Sequence, residues 1–294
     1  MVSLHGRFAW YELITTDVAA AKAFYGKVVG WQARDASTPD LAYALFAAGS
    51  AAVSGVMELP PDARKMGATP RWMGYVGVDD VDAAVDRIKR LGGAVYVPPT
   101  NSNIGRIAVV ADPQTAILAV VEGLAPGPQQ PAALEGAGHV GWHELLAADW
   151  EKAFAFYSQL FGWQKADAEL GPTQTYQLFA AGGQTIGGIF TKRPVEPVPY
   201  WLFYFNVDDI DAAAARVSEA GGEVFEGPFE VPEGSWIARC IDPQGAIFAL
   251  QGKRSPDAIL RDPAAEVGWS TEYGGLSSRG RLVAKPRGVV KPRR

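Results

Sequence analysis

Cysteine, histidine and long apolar segments are all scarce in this chain of 294 residues. The lone cysteine, Cys240, excludes a disulfide within the chain and is typical of a protein from a reducing cytosol. No apolar run approaches the roughly 18 residues that a membrane-spanning helix needs. The opening MVSLHGRFAW also lacks the layout of a signal peptide. We therefore expect a cytoplasmic protein without a membrane partner.

Several enzyme signatures are also missing. The chain has no Walker loop, no dinucleotide-binding fingerprint in a strand–helix setting and no Gly-x-Ser-x-Gly nucleophile elbow. Hydrophobic residues make up 48% and charged residues 20%, which is the composition of a globular protein. The length suffices for two domains with sizeable cores.

Charge is distributed unevenly along the chain. Residues 253–294 carry ten Lys and Arg against four Asp and Glu, whereas the remainder carries 17 against 28. The acidic body disfavours nucleic-acid binding, so any such role would lie in the basic tail. That tail is equally typical of a solvated arm, or of one that docks through Trp269 on a neighbouring acidic subunit. A homodimer therefore stays open as a partner prediction.

An internal repeat dominates the sequence. Residues 10–31 and 142–163 agree at 10 of 22 positions, and the motifs Leu-Phe-Ala-Ala-Gly, Val-Asp-Asp, Gly-Gly and Asp-Pro-Gln each recur. Such self-similarity at a fixed offset indicates duplicated domains, and a Gly-, Pro- and Ala-rich segment between them indicates a linker. The predicted units are a first domain over residues 1–122, a linker over 123–138, a second domain over 139–252 and a basic tail over 253–294.

Both repeats predict the same succession of elements. Asp17 and Asp149 are good N-caps for amphipathic helices that end at Gly30 and Gly162. A second helix follows each Val-Asp-Asp, and short β-type runs lie around the helices. Strands that return without an intervening helix imply antiparallel pairing, so the predicted class is α+β.

The motifs Trp-x-Glu-Leu…Asp…Phe-Tyr…Gly-Trp, Val-Asp-Asp with Gly-Gly, and Asp-Pro-Gln-x-Ala-Ile resemble the vicinal oxygen chelate superfamily. This superfamily contains glyoxalase I, extradiol dioxygenases and bleomycin- and fosfomycin-resistance proteins. The tandem arrangement is most similar to glyoxalase-like proteins of the antigen Cfp30B and hydroxylase type. The resemblance implies two tandem domains, each of two βαβββ modules that form an incurved mixed sheet.

The resemblance also implies positions for a divalent metal on the incurved sheet, which relatives fill with His, Gln or Glu. Those positions carry other residues here: Trp10 and Trp142 on the first strand, Met73 and Leu202 before the second helix, and Ala119 and Ala249 on the last strand. Near a fourth position, Glu58 has Thr191 as its counterpart. Indole, thioether and methyl groups do not form such a site. We therefore predict no metal and no other cofactor.

Two glutamates are the candidate catalytic residues. Glu12 and Glu144 share a strand face with Trp10 and Trp142, because side chains alternate along a strand. The resemblance implies that this face lines the cavity. Burial there would raise the carboxyl pKa and give an acid–base group, or an anchor for a cationic or hydroxylated ligand. A purely structural role for each glutamate stays open.

Aromatic and cationic residues nearby complete the predicted ligand site. His143 lies on the face opposite to Glu144, which favours a packing role, and Cys240 is predicted to be a small buried hydrophobe. The candidate ligand-binding residues are Trp10, Trp142, Trp72, Trp201, Tyr75, Tyr204 and Arg239.

Three functional hypotheses follow. The favoured one is a protein that binds a small planar or carbonyl-bearing organic molecule in apolar clefts, with metal-independent lyase, isomerase or hydroxylase chemistry at a glutamate. The second is a non-catalytic sequestration protein of the bleomycin-resistance type. The third is a metal-dependent lyase or dioxygenase with unusual ligands such as Glu12, Glu144 and His143.

Overall fold

Two mixed sheets of eight strands, one for each sequence repeat, form the body of the protein. The computed structural model describes residues 4–124, 136–166 and 176–255. The first domain contains β1 (Phe8–Thr15), α1 (Val18–Val28), β2 (Gln32–Asp35), β3 (Tyr43–Ala48), β4 (Ala51–Glu58), α2 (Pro61–Lys65), β5 (Arg71–Gly77), α3 (Val81–Arg90), β6 (Ala94–Ser102), β7 (Gly105–Ala111) and β8 (Ile117–Glu122). The second domain contains β9 (Val140–Ala147), α4 (Trp150–Phe161), β10 (Gln164–Ala166), β11 (Tyr176–Ala181), β12 (Gln184–Thr191), β13 (Tyr200–Asp209), α5 (Ile210–Glu219), β14 (Glu223–Val231), β15 (Ser235–Ile241) and β16 (Ile247–Lys253).

The strand order is the same in both domains. It runs β2-β3-β4-β1-β5-β8-β7-β6 in the first sheet and β10-β11-β12-β9-β13-β16-β15-β14 in the second. The first strand of each domain pairs in parallel with the last strand of its own module and antiparallel with the first strand of the next module. Each sheet thus joins two βαβββ modules, which confirms the predicted α+β class and tandem architecture.

Aspartate caps begin the four longer helices. The side chains of Asp17, Asp80, Asp149 and Asp209 each accept a hydrogen bond from the backbone N–H three residues on. These bonds satisfy N–H groups that the first helical turn leaves without partners. The predicted caps at Asp17 and Asp149 are confirmed.

The helix ends differ between the repeats. Gly162 caps α4 in the left-handed conformation with a φ of 71°, as predicted. In the first domain, α1 already ends at Val28 and Val29 is the cap residue, so Gly30, with a φ of 84°, follows the cap.

The main hydrophobic core lies between the two domains and is shared by them. Reciprocal bonds cross it. The Tyr25 hydroxyl donates to Asp242 Oδ2 and the Tyr157 hydroxyl donates to Asp112 Oδ2, both at 3.1 Å. Each of these aspartates also accepts backbone N–H bonds within its own Asp-Pro turn. The two repeats therefore form one packed unit with reciprocal contacts.

The predicted linker and tail lie mostly outside the described residues. Of the linker, residues 125–135 are not described, and the tail is described only as far as Ser255, so Trp269 lies beyond it. Among the helices in the described residues, none is both long and apolar enough to cross a membrane.

Candidate functional site

The face of each sheet that points away from the interdomain core carries one of the two predicted glutamates, and we call these faces the first and the second cleft. In β1, Trp10, Glu12 and Ile14 face the first cleft, where Trp10 and Ile14 pack beside Met73 and Tyr75. The alternate residues Tyr11 and Leu13 pack in the interdomain core. The second domain repeats this arrangement around Glu144. The face predicted for both glutamates is therefore the observed one.

Glu12 is buried and held by two tyrosines. The Tyr43 hydroxyl donates to Glu12 Oε1 at 2.6 Å, and the Tyr75 hydroxyl donates to Oε2. The Trp10 indole Nε1 donates in turn to the Tyr43 oxygen at 3.2 Å. Burial raises the pKa of Glu12 above its usual value, and the tyrosine hydrogen bonds only partly offset that effect. No ion pair with Glu12 occurs among the residues of the described ranges.

Glu144 is held by the same groups and by one more. Tyr176 donates to Oε1 at 2.8 Å and Tyr204 donates to Oε2 at 2.6 Å, while the Trp142 indole donates to Tyr176 at 2.9 Å. In addition, Arg239 Nη2 donates to Glu144 Oε2 at 2.7 Å. This carboxylate thus accepts three side-chain donors where Glu12 accepts two.

Tyr43 and Tyr176 are site residues that the sequence reasoning missed. Each hydroxyl lies directly over a glycine of the neighbouring strand, Gly55 or Gly188, at which an added Cβ would overlap the tyrosine ring or hydroxyl. A signal was present, because each tyrosine stands two residues before the repeated Leu-Phe-Ala-Ala-Gly motif. The glycines therefore let a tyrosine of β3 or β11 reach the glutamate.

The two clefts differ along one row of residues that runs across five strands. We call it the cross-strand row. In the first domain it consists of Trp10, Tyr75, Ala119, Val109 and Val97. In the second domain it consists of Trp142, Tyr204, Ala249, Arg239 and Glu226. Two valines on the outer strands of the first cleft thus correspond to an Arg–Glu pair in the second.

The Arg–Glu pair belongs to a charged cluster that spans the second cleft. Arg239 Nη1 donates to Glu226 Oε2 at 2.9 Å, and Arg193 Nη1 donates to Glu226 Oε1 at 3.1 Å. Glu196 lies 3.6 Å from Arg193. Because both terminal nitrogens of Arg239 already donate to Glu144 and Glu226, they are not available to an anionic ligand. The first cleft has half-buried Val109 and exposed Val97 at the equivalent positions.

The remaining predicted ligand-binding residues divide between the two faces. Tyr75 and Tyr204 lie in the clefts, where their hydroxyls donate to Glu12 and Glu144. Trp72 and Trp201, by contrast, lie in the interdomain core, where their indoles donate to Tyr25 at 2.8 Å and Tyr157 at 3.2 Å. Trp72 pairs with Leu13 across the strands and therefore points away from Glu12. We no longer count Trp72 and Trp201 among the candidate ligand-binding residues.

His143 packs against Tyr11, its counterpart in the first repeat. Its Nδ1 donates to the Ile186 carbonyl at 2.6 Å, so its Nε2 accepts from the Tyr11 hydroxyl at 2.5 Å. Burial lowers the His143 pKa to about 4, which keeps the ring neutral. Cys240 is fully buried, and burial raises its thiol pKa to about 12. The packing roles predicted for both residues agree with these positions.

The sequence comparisons agree with this geometry. The model of the Glyoxalase/Bleomycin resistance protein/Dioxygenase superfamily matches residues 7–117 and 136–250. The chain belongs to this superfamily. Among its relatives is a protein named "Putative glyoxylase CFP32" of Mycobacterium tuberculosis, 36% identical over 247 residues, which cover 82% of this chain and 92% of that one. "Anthracycline biosynthesis protein DauV" of a Streptomyces species is 32% identical over 278 residues, covering 88% and 98%.

Solved structures of the superfamily share the fold. The Mn(II)-bound glyoxalase from Novosphingobium aromaticivorans has a TM-score of 0.61 at 17% identity and covers 86% of this chain and 84% of its own. The 2,3-dioxygenase LapB from a Pseudomonas species has a TM-score of 0.58 at 12% identity, with coverages of 85% and 93%.

The metal that the superfamily resemblance implies does not fit the donor groups of these clefts. The groups around Glu12 include an indole, a thioether, a methyl group and two phenols, with the Asn103 carboxamide at Tyr43, and the phenols already donate to the carboxylate. Within the described ranges, no group of three or more His, Cys, Asp or Glu side chains could hold an ion. A carboxylate alone does not make the nitrogen- and oxygen-rich site that such ions need.

A pH-dependent stability follows from the burial of Glu12. Because its pKa is raised in the folded chain, the folded state binds the Glu12 proton more tightly than the unfolded state. The resulting contribution to stability is complete below the ordinary carboxyl pKa of about 4.5 and is lost as the pH rises through the folded-state value. We expect Glu12→Gln to gain stability relative to the wild type between pH 4 and pH 8, as measured by urea unfolding. If the free energies of unfolding of the two proteins changed with pH in the same way, the prediction would be wrong.

Proposed function

We propose that the chain binds a small, planar organic molecule in the first cleft, with Glu12 as its polar anchor and Trp10 as its stacking surface. The observation that carries the proposal is the difference between the two glutamates. Glu144 shows that a carboxylate held by two tyrosines in this register can accept a third donor, Arg239. Glu12 has the same two tyrosines and the Trp10 indole beside it, but no Lys, Arg or His of the described residues pairs with it, so a ligand could supply the missing partner.

The rim of the first cleft supports an apolar ligand body. Half-buried aliphatic side chains surround the row, and Arg71, which pairs with Ile14, is the cation at its edge. The aliphatic residues are Ile14, Ile104, Ile107, Val109 and Ile117. A few polar groups within an apolar concave surface are the usual composition of a small-molecule site. Two relatives are named for anthracycline biosynthesis, and anthracyclines contain flat, oxygen-bearing aromatic ring systems. The second cleft, which its own charged cluster spans, then has a structural role.

Proton transfer at Glu12 is a second candidate function. Burial raises the pKa of Glu12 in the absence of a neighbouring cation, and a buried carboxyl group with a raised pKa can act as an acid–base group. The substrate would then be a carbonyl compound that loses and regains a proton on the neighbouring carbon. Binding without turnover, as in the resistance proteins of the superfamily, is the contrasting outcome.

A matched pair of variants tests the binding site. Trp10 and Trp142 are both half-buried and both donate to a tyrosine hydroxyl. We expect Trp10→Ala to weaken binding of the planar probe 1,8-dihydroxyanthraquinone about tenfold, since aromatic stacking contributes roughly 0.5–1.5 kcal/mol. Trp142→Ala should change the affinity less than twofold, as measured by absorbance titration. Equal effects of the two variants, or no effect of either, would contradict the assignment to the first cleft.

Hydrogen–deuterium exchange tests the catalytic alternative. The chain is incubated with 1-tetralone in D₂O with a chelator, and NMR follows loss of the proton next to the carbonyl. If Glu12 accepts that proton and returns a deuteron from solvent, exchange is lost in Glu12→Gln and retained in Glu144→Gln. If the ketone binds but its proton exchanges no faster than the uncatalysed rate, the proposal of proton transfer at Glu12 fails and the binding role remains.

A further inference from the structure

We propose that the ligand of the first cleft carries a cationic amine or guanidinium group, which pairs with Glu12 at the place that the Arg239 guanidinium takes on Glu144. This inference rests on the proposed ligand site in the first cleft and names the chemical class of its ligand. It favours anchoring over proton transfer as the role of Glu12.

The argument begins with the identical strand register of the two clefts. Val109 of β7 and Arg239 of β15 pair with equivalent alanines, Ala119 and Ala249, which in turn pair with Tyr75 and Tyr204. The tyrosines donate to equivalent oxygens of the two glutamates. An Arg side chain extended from position 109 would therefore reach Glu12 as Arg239 reaches Glu144.

The second step is electrostatic. A buried carboxylate is costly unless a cation and hydrogen-bond donors offset its desolvation. In the second cleft Arg239 provides that cation at 2.7 Å, and its other terminal nitrogen contacts Glu226. In the first cleft both row positions are valines, and within the described residues no Lys, Arg or His forms an ion pair with Glu12. The tyrosine hydroxyls nevertheless donate to Glu12, as they do to the ion-paired Glu144. This arrangement suits an ionised carboxylate, which a bound cation would stabilise.

The third step concerns the rest of the ligand. Val109 is half-buried and Val97 is 37% exposed, so this end of the cross-strand row is apolar and reaches solvent. Trp10 lies at the other end of the row with its indole nitrogen already bonded to Tyr43, which leaves its ring face for stacking. The row therefore fits an aromatic or otherwise flat apolar body that bears one short cationic arm.

Three probes of equal shape and different charge test the inference. They are 1-(aminomethyl)naphthalene, which is cationic at neutral pH, 1-naphthylmethanol, which is neutral, and 1-naphthoate, which is anionic. Ligand-observed NMR titration of the full chain should show the amine binding at least tenfold more tightly than the alcohol, with the carboxylate weakest. Glu12→Gln should remove the preference for the amine.

The decisive variant is Val109→Arg, which supplies the first cleft with its own guanidinium. We expect it to abolish amine binding, whereas the uncharged control Val109→Met retains the preference for the amine. As a converse, the double variant Arg239→Val with Glu226→Val gives the second cleft the valine pair of the first. It should add a second amine site that depends on Glu144.

The outcomes separate the two proposals. If amine and alcohol bind equally well and both depend on Trp10, the ligand site stands and the charge inference fails. If none of the probes binds in a Trp10-dependent manner, the proposed function fails as well. An amine preference that survives both Glu12→Gln and Val109→Arg would place the amine elsewhere on the acidic surface and overturn the inference.

Discussion

Arg239→Met is expected to lower the free energy of unfolding by about 3 to 5 kcal/mol, the usual effect of removing one partner of a buried ion pair. Arg239 is 6% exposed and contacts Glu144, which is 4% exposed, as well as Glu226. The methionine would leave Glu144 without a cation in an apolar cleft. Urea denaturation of the wild type and the variant, followed by circular dichroism, measures the difference.

A second substitution distinguishes charge from packing. Glu226 keeps a cation in the variant, because Arg193 also contacts it at 3.1 Å. Adding Glu144→Gln to Arg239→Met should therefore recover most of the lost stability, since no uncompensated charge is then buried. Val109→Met, at the equivalent position of the first domain, should cost little. If the double variant is as unstable as Arg239→Met alone, lost packing and not charge explains the effect.

The sequence was sufficient for the architecture because the duplication made each pattern visible twice. Strand alternation placed Glu12 and Leu13 on opposite faces, and the capping aspartates located the helix starts. These are local properties that two or three consecutive residues determine. The same alternation could have corrected one site prediction. Trp72 and Tyr75 stand three positions apart in β5, so they cannot both face the cleft.

The remaining parts of the site depend on strands that are distant in sequence. Glu144 and Arg239 meet although 95 residues separate them, because β9 and β15 are brought together by the curvature and order of one sheet. Only the observed register shows that Val109 is the counterpart of Arg239. The difference in composition between the two clefts is therefore visible only in the strand pairing, while the repeated motifs show their likeness.

The two domains thus share one arrangement of a glutamate, two tyrosines and a tryptophan, but they differ in the residue that stands beside the glutamate. Where Arg239 completes it, Glu144 and Glu226 both pair with this guanidinium, and Glu226 also pairs with Arg193. Where valine replaces arginine, the arrangement lacks one partner. If the proposed ligand site is correct, a change at two row positions, Arg239 and Glu226 against Val109 and Val97, separates a structural cleft from a ligand-binding one.

Trp31→Ala and Trp163→Ala are expected to destabilise both domains together, each by about 3 to 5 kcal/mol, the range for truncating a buried tryptophan. Trp31 donates at 2.8 Å to the carbonyl of Gly138, which directly precedes the second domain, and its ring lies 4.9 Å from the Phe205 ring. Trp163 donates to the Gly6 carbonyl of the first domain at 2.6 Å. Each indole therefore joins the core of its own domain to the backbone at the start of the other.

Because this core is continuous across the domains, we expect a single unfolding transition in the wild type and in both variants, shifted to lower denaturant in the variants. Far- and near-ultraviolet circular dichroism should give coincident curves, which is the test of two-state behaviour. Trp10→Ala is the control. Trp10 is half-buried in the cleft and makes no contact across the domain boundary in the described residues. Its substitution should therefore lower the free energy of unfolding by less. Two separate transitions in either core variant would show that each domain is stable without the other. The bonds from Trp31 and Trp163 would then contribute little to the stability of the partner domain.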